Sequence, residues 1–149
     1  MKRFATSITI RVPADSVWAL LTDAAGYPAW NSTIEKIDGR IAAGETVKLY
    51  AKATPGRAFS LKVTEFEPGR RMTWIGGMPM GLFTGTRHLT LTPGSGYEVE
   101  FAMAETYTGP LAPLITRMIP DLQPAFDTFA ADLKRRAESD GRSVDRTVG

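Results

Sequence analysis

From Phe4 to Val12 the chain alternates, with Phe4, Thr6, Ile8, Ile10 and Val12 on one side and Ala5, Ser7, Thr9 and Arg11 on the other, as in a half-buried strand. The period then changes. Pro13 opens a helix, where its missing N–H has no bond to lose, and Ala14, Val17, Trp18 and Leu21 form a compact apolar stripe that closes at Gly26. Pro28 opens a second short helical turn over Tyr27 to Asn31. Alternation resumes from Thr33 to Asp38, then at Val47, Leu49 and Ala51, and again at Phe59, Leu61 and Val63, with Gly39, Gly44 and Pro55-Gly56 marking the turns between. Glu67 to Arg70 has proline second and glycine third, the order of a type II turn whose third position calls for positive φ. A fifth strand carries Met72 and Trp74. A sixth places Phe83, Gly85, Arg87, Leu89 and Leu91 on one face and threonines with His88 on the other. A hairpin at Gly94 and Ser95 leads to a seventh, whose inner row is Tyr97, Val99, Phe101, Met103, Glu105 and Tyr107.

The spacing switches to threes and fours from Gly109 to Glu138, where Leu111, Leu114, Ile115, Met118, Ile119, Leu122, Phe126, Phe129, Ala130, Leu133 and Ala137 mark one face of a long helix. Pro120 and Pro124 lie inside it. Each removes a ladder bond and crowds the carbonyl four residues back, so the spacing predicts two segments sharing one face with a kink around Ile119 to Gln123. A helix with one apolar face must be covered, and the concave side of a curved antiparallel sheet is the natural cover. The expected architecture is α+β, a sheet gripping a helix.

A chain of 149 residues suits one domain with one core, here residues 1–138, followed by a polar tail expected to fray over 139–149. The absence of cysteine removes disulfides and thiolate metal sites, and the single histidine, His88, removes His-rich metal clusters, so no metal or cofactor is expected. A net charge of +2 spread along the chain argues against nucleic acid as a partner. The opening MKRF leads into no signal-peptide pattern, and no stretch is long enough to span a membrane, so a cytoplasmic protein without integral membrane association, monomeric or weakly dimeric, is expected.

The runs VPADSVWALLTD, YPAWN, VTEFEPGRRMTW, GTRHLTLTP and ETYTG, ahead of a final helix ending DLKRRAE, resemble the SRPBCC superfamily (START-like, Bet v 1-like, polyketide cyclase/dehydrase) from about Phe4 to Glu138. The resemblance implies a helix-grip fold: a seven-stranded antiparallel curved sheet wrapped around a long C-terminal helix, two short helices after strand one, and a cavity between sheet and helix. These are scaffold motifs, and the same scaffold carries binding proteins, enzymes and co-chaperones alike.

The candidate site follows from the inward rows. Arg87 aligns with Leu89 and Leu91, facing the helix, where an unpaired guanidinium would lose hydration worth several kcal/mol. Glu105 shares that face on the next strand, within diagonal reach if the hairpin is tight, so Arg87 holds this carboxylate, snorkels to the cavity mouth or takes a ligand anion. Trp74, Phe101, Met103 and Tyr107 face the same space and suit either core packing or an aromatic ligand, with Gly85 leaving a gap in the row. Met78, Met80 and Phe83, in and beside the loop GGMPMG, are candidates for a gate, and Ile115, Met118 and Leu122 line the helix side. His88 falls on the outward face and Asp15, Asp23 and Glu35 on solvated turns or caps, so none is a catalytic candidate. Three functions fit. A carrier or sensor for a small hydrophobic or amphipathic molecule is favoured; an enzyme of the cyclase or dehydratase kind, with Glu105 moving protons, or an interaction module like the Hsp90 activators are the alternatives.

Overall fold

The computed structural model describes residues 2–94 and 96–148, with side chains as far as Asp140. The alternating stretches build one antiparallel sheet of seven strands, β1 (Lys2–Ile10), β2 (Ile34–Asp38), β3 (Thr46–Ala51), β4 (Phe59–Glu67), β5 (Arg71–Met78), β6 (Phe83–Pro93) and β7 (Val99–Thr108). Their spatial order is β1-β7-β6-β5-β4-β3-β2, so every neighbour after the first pairing is also a chain neighbour except where β1 closes onto β7. Between β1 and β2 lie α1 (Ala14–Thr22), a single tight turn, and α2 (Tyr27–Trp30), with Pro28 in the first turn of α2 as its spacing required.

Several strands bury inward rows toward the last helix. Val47 and Leu49, Val63, Met72 and Trp74, Leu89 and Leu91, and Val99, Phe101 and Met103 form one apolar layer that Phe126, Phe129, Ala130, Leu133 and Ala137 of the last helix cover. Gly69 turns the chain with φ +78, and Arg70 N donates to Glu67 O at 2.9 Å, as the type II reading of this turn expected.

Two expectations need correction. The β6–β7 connection is longer than a tight hairpin: Pro93 pairs with Val99 and Gly94 N donates to Glu98 O, which leaves Tyr97 exposed outside the strand and brings Glu105 directly opposite Arg87 rather than diagonal to it. Ser95 itself lies outside the described residues. The second correction concerns the helix, which is not one rod from Gly109 to Glu138. The chain forms α3 (Ala112–Thr116), breaks where Pro120 removes a donor, and restarts as α4 (Gln123–Val148), with Pro124 in the first turn where no N–H is needed. The break lies where the prolines put it. It also resets the helical phase, so Leu114 and Met118 are 59% and 79% exposed instead of continuing the buried face.

The helical backbone of α4 continues through the polar segment 139–148, and Gly149 lies outside the described residues. Along its length α4 also bonds main-chain groups of Ala5 and Thr9 in β1 and of Arg11 just after it. The Gln123 amide donates to Ala5 O at 2.7 Å and accepts from Ala5 N at 3.4 Å, Lys134 Nζ donates to Thr9 O at 2.7 Å, and Arg11 N donates to Glu138 Oε2 at 3.0 Å. Asp132, buried on the same helix, accepts from both the N–H and the hydroxyl of Ser32 and so ties α4 to the segment after α2.

Candidate functional site

The grip has two halves. In the half near α1 and α2 the interior is filled: Phe101 stacks on Phe129 with ring centres 6.0 Å apart, Tyr27 packs between Trp30 at 4.8 Å and Trp74 at 6.4 Å, and Met103 is fully buried beside them. Trp74, Phe101 and Met103, for which core packing and cavity lining were both open, stand here in close-packed core. Among the described residues, one depression lies between β1, β7 and Asp127 of α4 and another beside the turn before β5.

The other half, toward the end where β1 begins and β7 ends, is different. Arg87 and Glu105 face each other across β6 and β7, and Arg87 Nη2 donates to Glu105 Oε2 at 3.0 Å with each side chain 13% exposed. The guanidinium also lies 4.8 Å from the centre of the Phe126 ring, whose face attracts a cation. Around this pair stand Phe83, stacked on Tyr107 at 5.6 Å, and Phe4, edge-on to Tyr107 at 6.2 Å and 5.8 Å from Phe126. At Gly85 a Cβ would stand in ordinary contact with the Tyr107 ring at 3.4 Å and Glu105 Oε1 at 3.5 Å. The gap expected at Gly85 is filled from the next strand.

Charge and burial tune the polar groups. Burial raises the Tyr107 hydroxyl above its ordinary range, the Glu105 charge and its hydrogen bond raise it further, and Arg87 pulls the other way. Tyr27 is raised chiefly by burial, with Arg87 opposing and Asp23 adding, and its hydroxyl donates to Leu21 O at 2.6 Å. Trp74 is the inward neighbour of Arg87 on β5, and its indole N–H is buried with no acceptor. A neutralised pair, a weakly acidic hydroxyl and an unused donor can hold a polar head that accepts hydrogen bonds, while the rings take an apolar body.

The rim comprises the β5–β6 loop and the chain from β7 to α4. Met78, Met80 and Leu82 are 43%, 96% and 39% exposed, Met118 is exposed, and Ile115 and Leu122 are half-buried. Leu111 N donates to Leu82 O at 2.9 Å and Gly109 packs against Gly81 and Leu82, so the two connections touch. His88 sits on the convex face, its Nδ1 3.1 Å from the Thr73 hydroxyl, which donates to Glu65 at 2.8 Å. Glu65 reaches that position from a bulge in β4, at φ +47, a feature the alternation did not announce. Asp15, Asp23 and Glu35 are exposed. Among the described residues no three of His, Asp and Glu group as metal ligands would.

Phe4 and Phe126 belong to the site and were not singled out in the sequence. Phe126 carried a signal in the helical stripe, but Phe4 is brought to Glu105 by the β1–β7 register, which no local pattern encodes.

Solved structures share the architecture at low identity. A hypothetical protein from Helicobacter pylori is 14% identical with a TM-score of 0.71, covering 91% of this chain and 88% of its own. The Zhui aromatase/cyclase from Streptomyces sp. R1128 is 14% identical with a TM-score of 0.69 over 92% and 93%. A START superfamily protein from Mycobacterium smegmatis is 13% identical with a TM-score of 0.62 over 92% and 97%. These likenesses establish the helix-grip fold. No protein of curated function matches the chain in sequence. The family model described as polyketide cyclase/dehydrase and lipid transport matches residues 1–138, nearly the whole sheet and grip, and the chain belongs to that family.

Proposed function

We propose that this protein binds a small hydrophobic or amphipathic molecule at the half of the grip that holds Arg87 and Glu105. The observation that carries this reading is a charged pair kept mostly out of water inside a cage of Phe4, Phe83, Tyr107 and Phe126, at the end where α4 begins. A structural ion pair alone needs no such cage, and replacing it by apolar residues would often be neutral or stabilising. The buried, unpaired N–H of Trp74 supports an acceptor oxygen on the ligand. Entry requires the rim to yield, and α3 is short and leaves Leu114 exposed.

The close-packed half favours a second reading, an interaction module whose interior holds no guest. Native mass spectrometry of freshly purified protein separates the two. A bound mass that is lost in Arg87→Leu supports the ligand reading. The apo mass alone, unchanged after incubation with fatty acids and polycyclic phenols, overturns it. If the loaded protein also turns its ligand over, Glu105→Gln abolishes turnover and leaves binding within about threefold, the pattern of a proton-transfer group.

A further inference from the structure

We infer that the rim end of the molecule docks on the surface of an anionic lipid bilayer. Strand register gathers the connections at this end: Leu49 pairs with Phe59, Met78 with Phe83, and Lys2 with Tyr107, so segments 52–58, 79–82 and 109–122 emerge together. Most of the large exposed apolar side chains among the described residues, Ile75 and Tyr97 apart, lie on these segments or on the strand ends beside them. Met80 and Met118 are 96% and 79% exposed and Leu114 is 59% exposed, with Met78, Leu82 and Phe59 less so. A cluster of this kind is uncommon on the free surface of a protein that stays alone in water.

Backbone geometry adds an independent sign. Met80 occupies the left-handed region at φ +62, which a side chain with a Cβ adopts only at a cost. Its side chain is almost wholly exposed, so no contact within the protein offsets that cost. The thioether is held outward at a loop tip, where the apolar boundary of a bilayer would receive it.

Charge selects the occupant. Lys2, Arg3, Lys52, Arg57 and Arg117 are exposed at this end against Asp121, with Glu35 and Asp127 farther from the tip. The opposite end mixes signs, with Asp15, Asp38, Glu45, Glu67 and Glu98 facing Arg11, Arg40, Arg70 and Arg71. A basic rim around apolar tips complements an anionic headgroup layer over an acyl interior, whereas a second copy of the same face would bring like charges together. Docking and the ligand reading stand separately, although docking would turn the ligand half of the grip toward the bilayer.

Flotation of the full chain with vesicles tests the proposal, comparing phosphatidylcholine alone with phosphatidylcholine containing phosphatidylserine. The expected result is partition into the serine-containing vesicles that falls steeply between 0.1 M and 0.5 M salt, as surface electrostatics do. Met80→Ser with Met118→Ser lowers the partition by at least about tenfold. Arg57→Glu with Arg117→Glu lowers it by a similar factor. Tyr97→Ser, at the opposite end, leaves it unchanged, and circular dichroism shows all variants folded. Absence of partition overturns the proposal, as does partition that the rim variants do not change. So does a concentration-dependent dimer in sedimentation that the methionine variant abolishes while no vesicle binding is seen, because the rim is then a face for a second copy. The mass-spectrometric result for a bound ligand is independent of all these outcomes.

Discussion

Tyr27 and Tyr107 occupy the two halves of one grip, and each is a buried phenol whose ionisation is suppressed, yet their surroundings differ in kind. Tyr27 is enclosed by Trp30, Trp74 and Phe129 and spends its own hydroxyl on the Leu21 carbonyl. Tyr107 stacks on a half-buried phenylalanine and shares its polar neighbourhood with a carboxylate and a guanidinium. The same residue type serves as core in one place and as lining in the other. What separates them is cover: α4 runs along the first half, while over the second only its first turn reaches, placing Phe126 on Arg87 and Phe4, and the rest is left to α3 and a loop. A site in this fold is thus made less by special residues than by where the covering helix stops.

The largest effect that would sharpen this contrast is expected from truncating matched aromatics. Phe129→Ala, in the packed half, should cost about 3–5 kcal/mol in urea unfolding, since the surrounding rings cannot close the void. Phe83→Ala, at the rim, should cost about 1–2 kcal/mol because its side chain is only partly removed from water. Equal losses would mean that both halves are core.

The ion pair comes next. Arg87→Leu alone should destabilise by about 2–4 kcal/mol by stranding Glu105 among aromatic rings, while the double change Arg87→Leu with Glu105→Leu should recover most of that loss. A double mutant as unstable as the two single losses added together would show that the groups act separately.

Alkaline pH gives the smallest handle. Both tyrosines are raised above the value of about 10 that an unfolded chain would show, so the folded state holds its phenolic protons more tightly. Their contribution is complete below pH 10 and is lost as pH rises above it, at about 1.4 kcal/mol per pH unit for each phenol. Tyr107→Phe should halve that slope in unfolding measured from pH 9 to 11.5. An unchanged slope would place Tyr107 in ordinary contact with water.

Much of this was legible in the chain. Alternation at period two placed the inner rows of β6 and, from Val99 onward, of β7, and hence put Arg87 inward and His88 outward, because a half-buried strand fixes which side each residue takes. Pro120 and Pro124 announced the break before α4 because their chemistry is local. The sequence did not tell how far the interior would close. Trp74, Phe101 and Met103 are as apolar in a packed core as around a guest, and periodicity cannot separate the two. Nor could it align Arg87 with Glu105, since that depends on the length of one hairpin, or foresee that Leu114 and Met118 would leave the helical face once the phase was reset.

The bonds from Gln123, Lys134 and Glu138 to Ala5, Thr9 and Arg11 give α4 a protective duty as well as a structural one. A proteolytic nick or premature stop that removed this helix would bare the margin of the sheet to any other chain able to extend it. Self-association into insoluble aggregates, and not merely a weakened grip on a guest, would then be the first symptom of its loss.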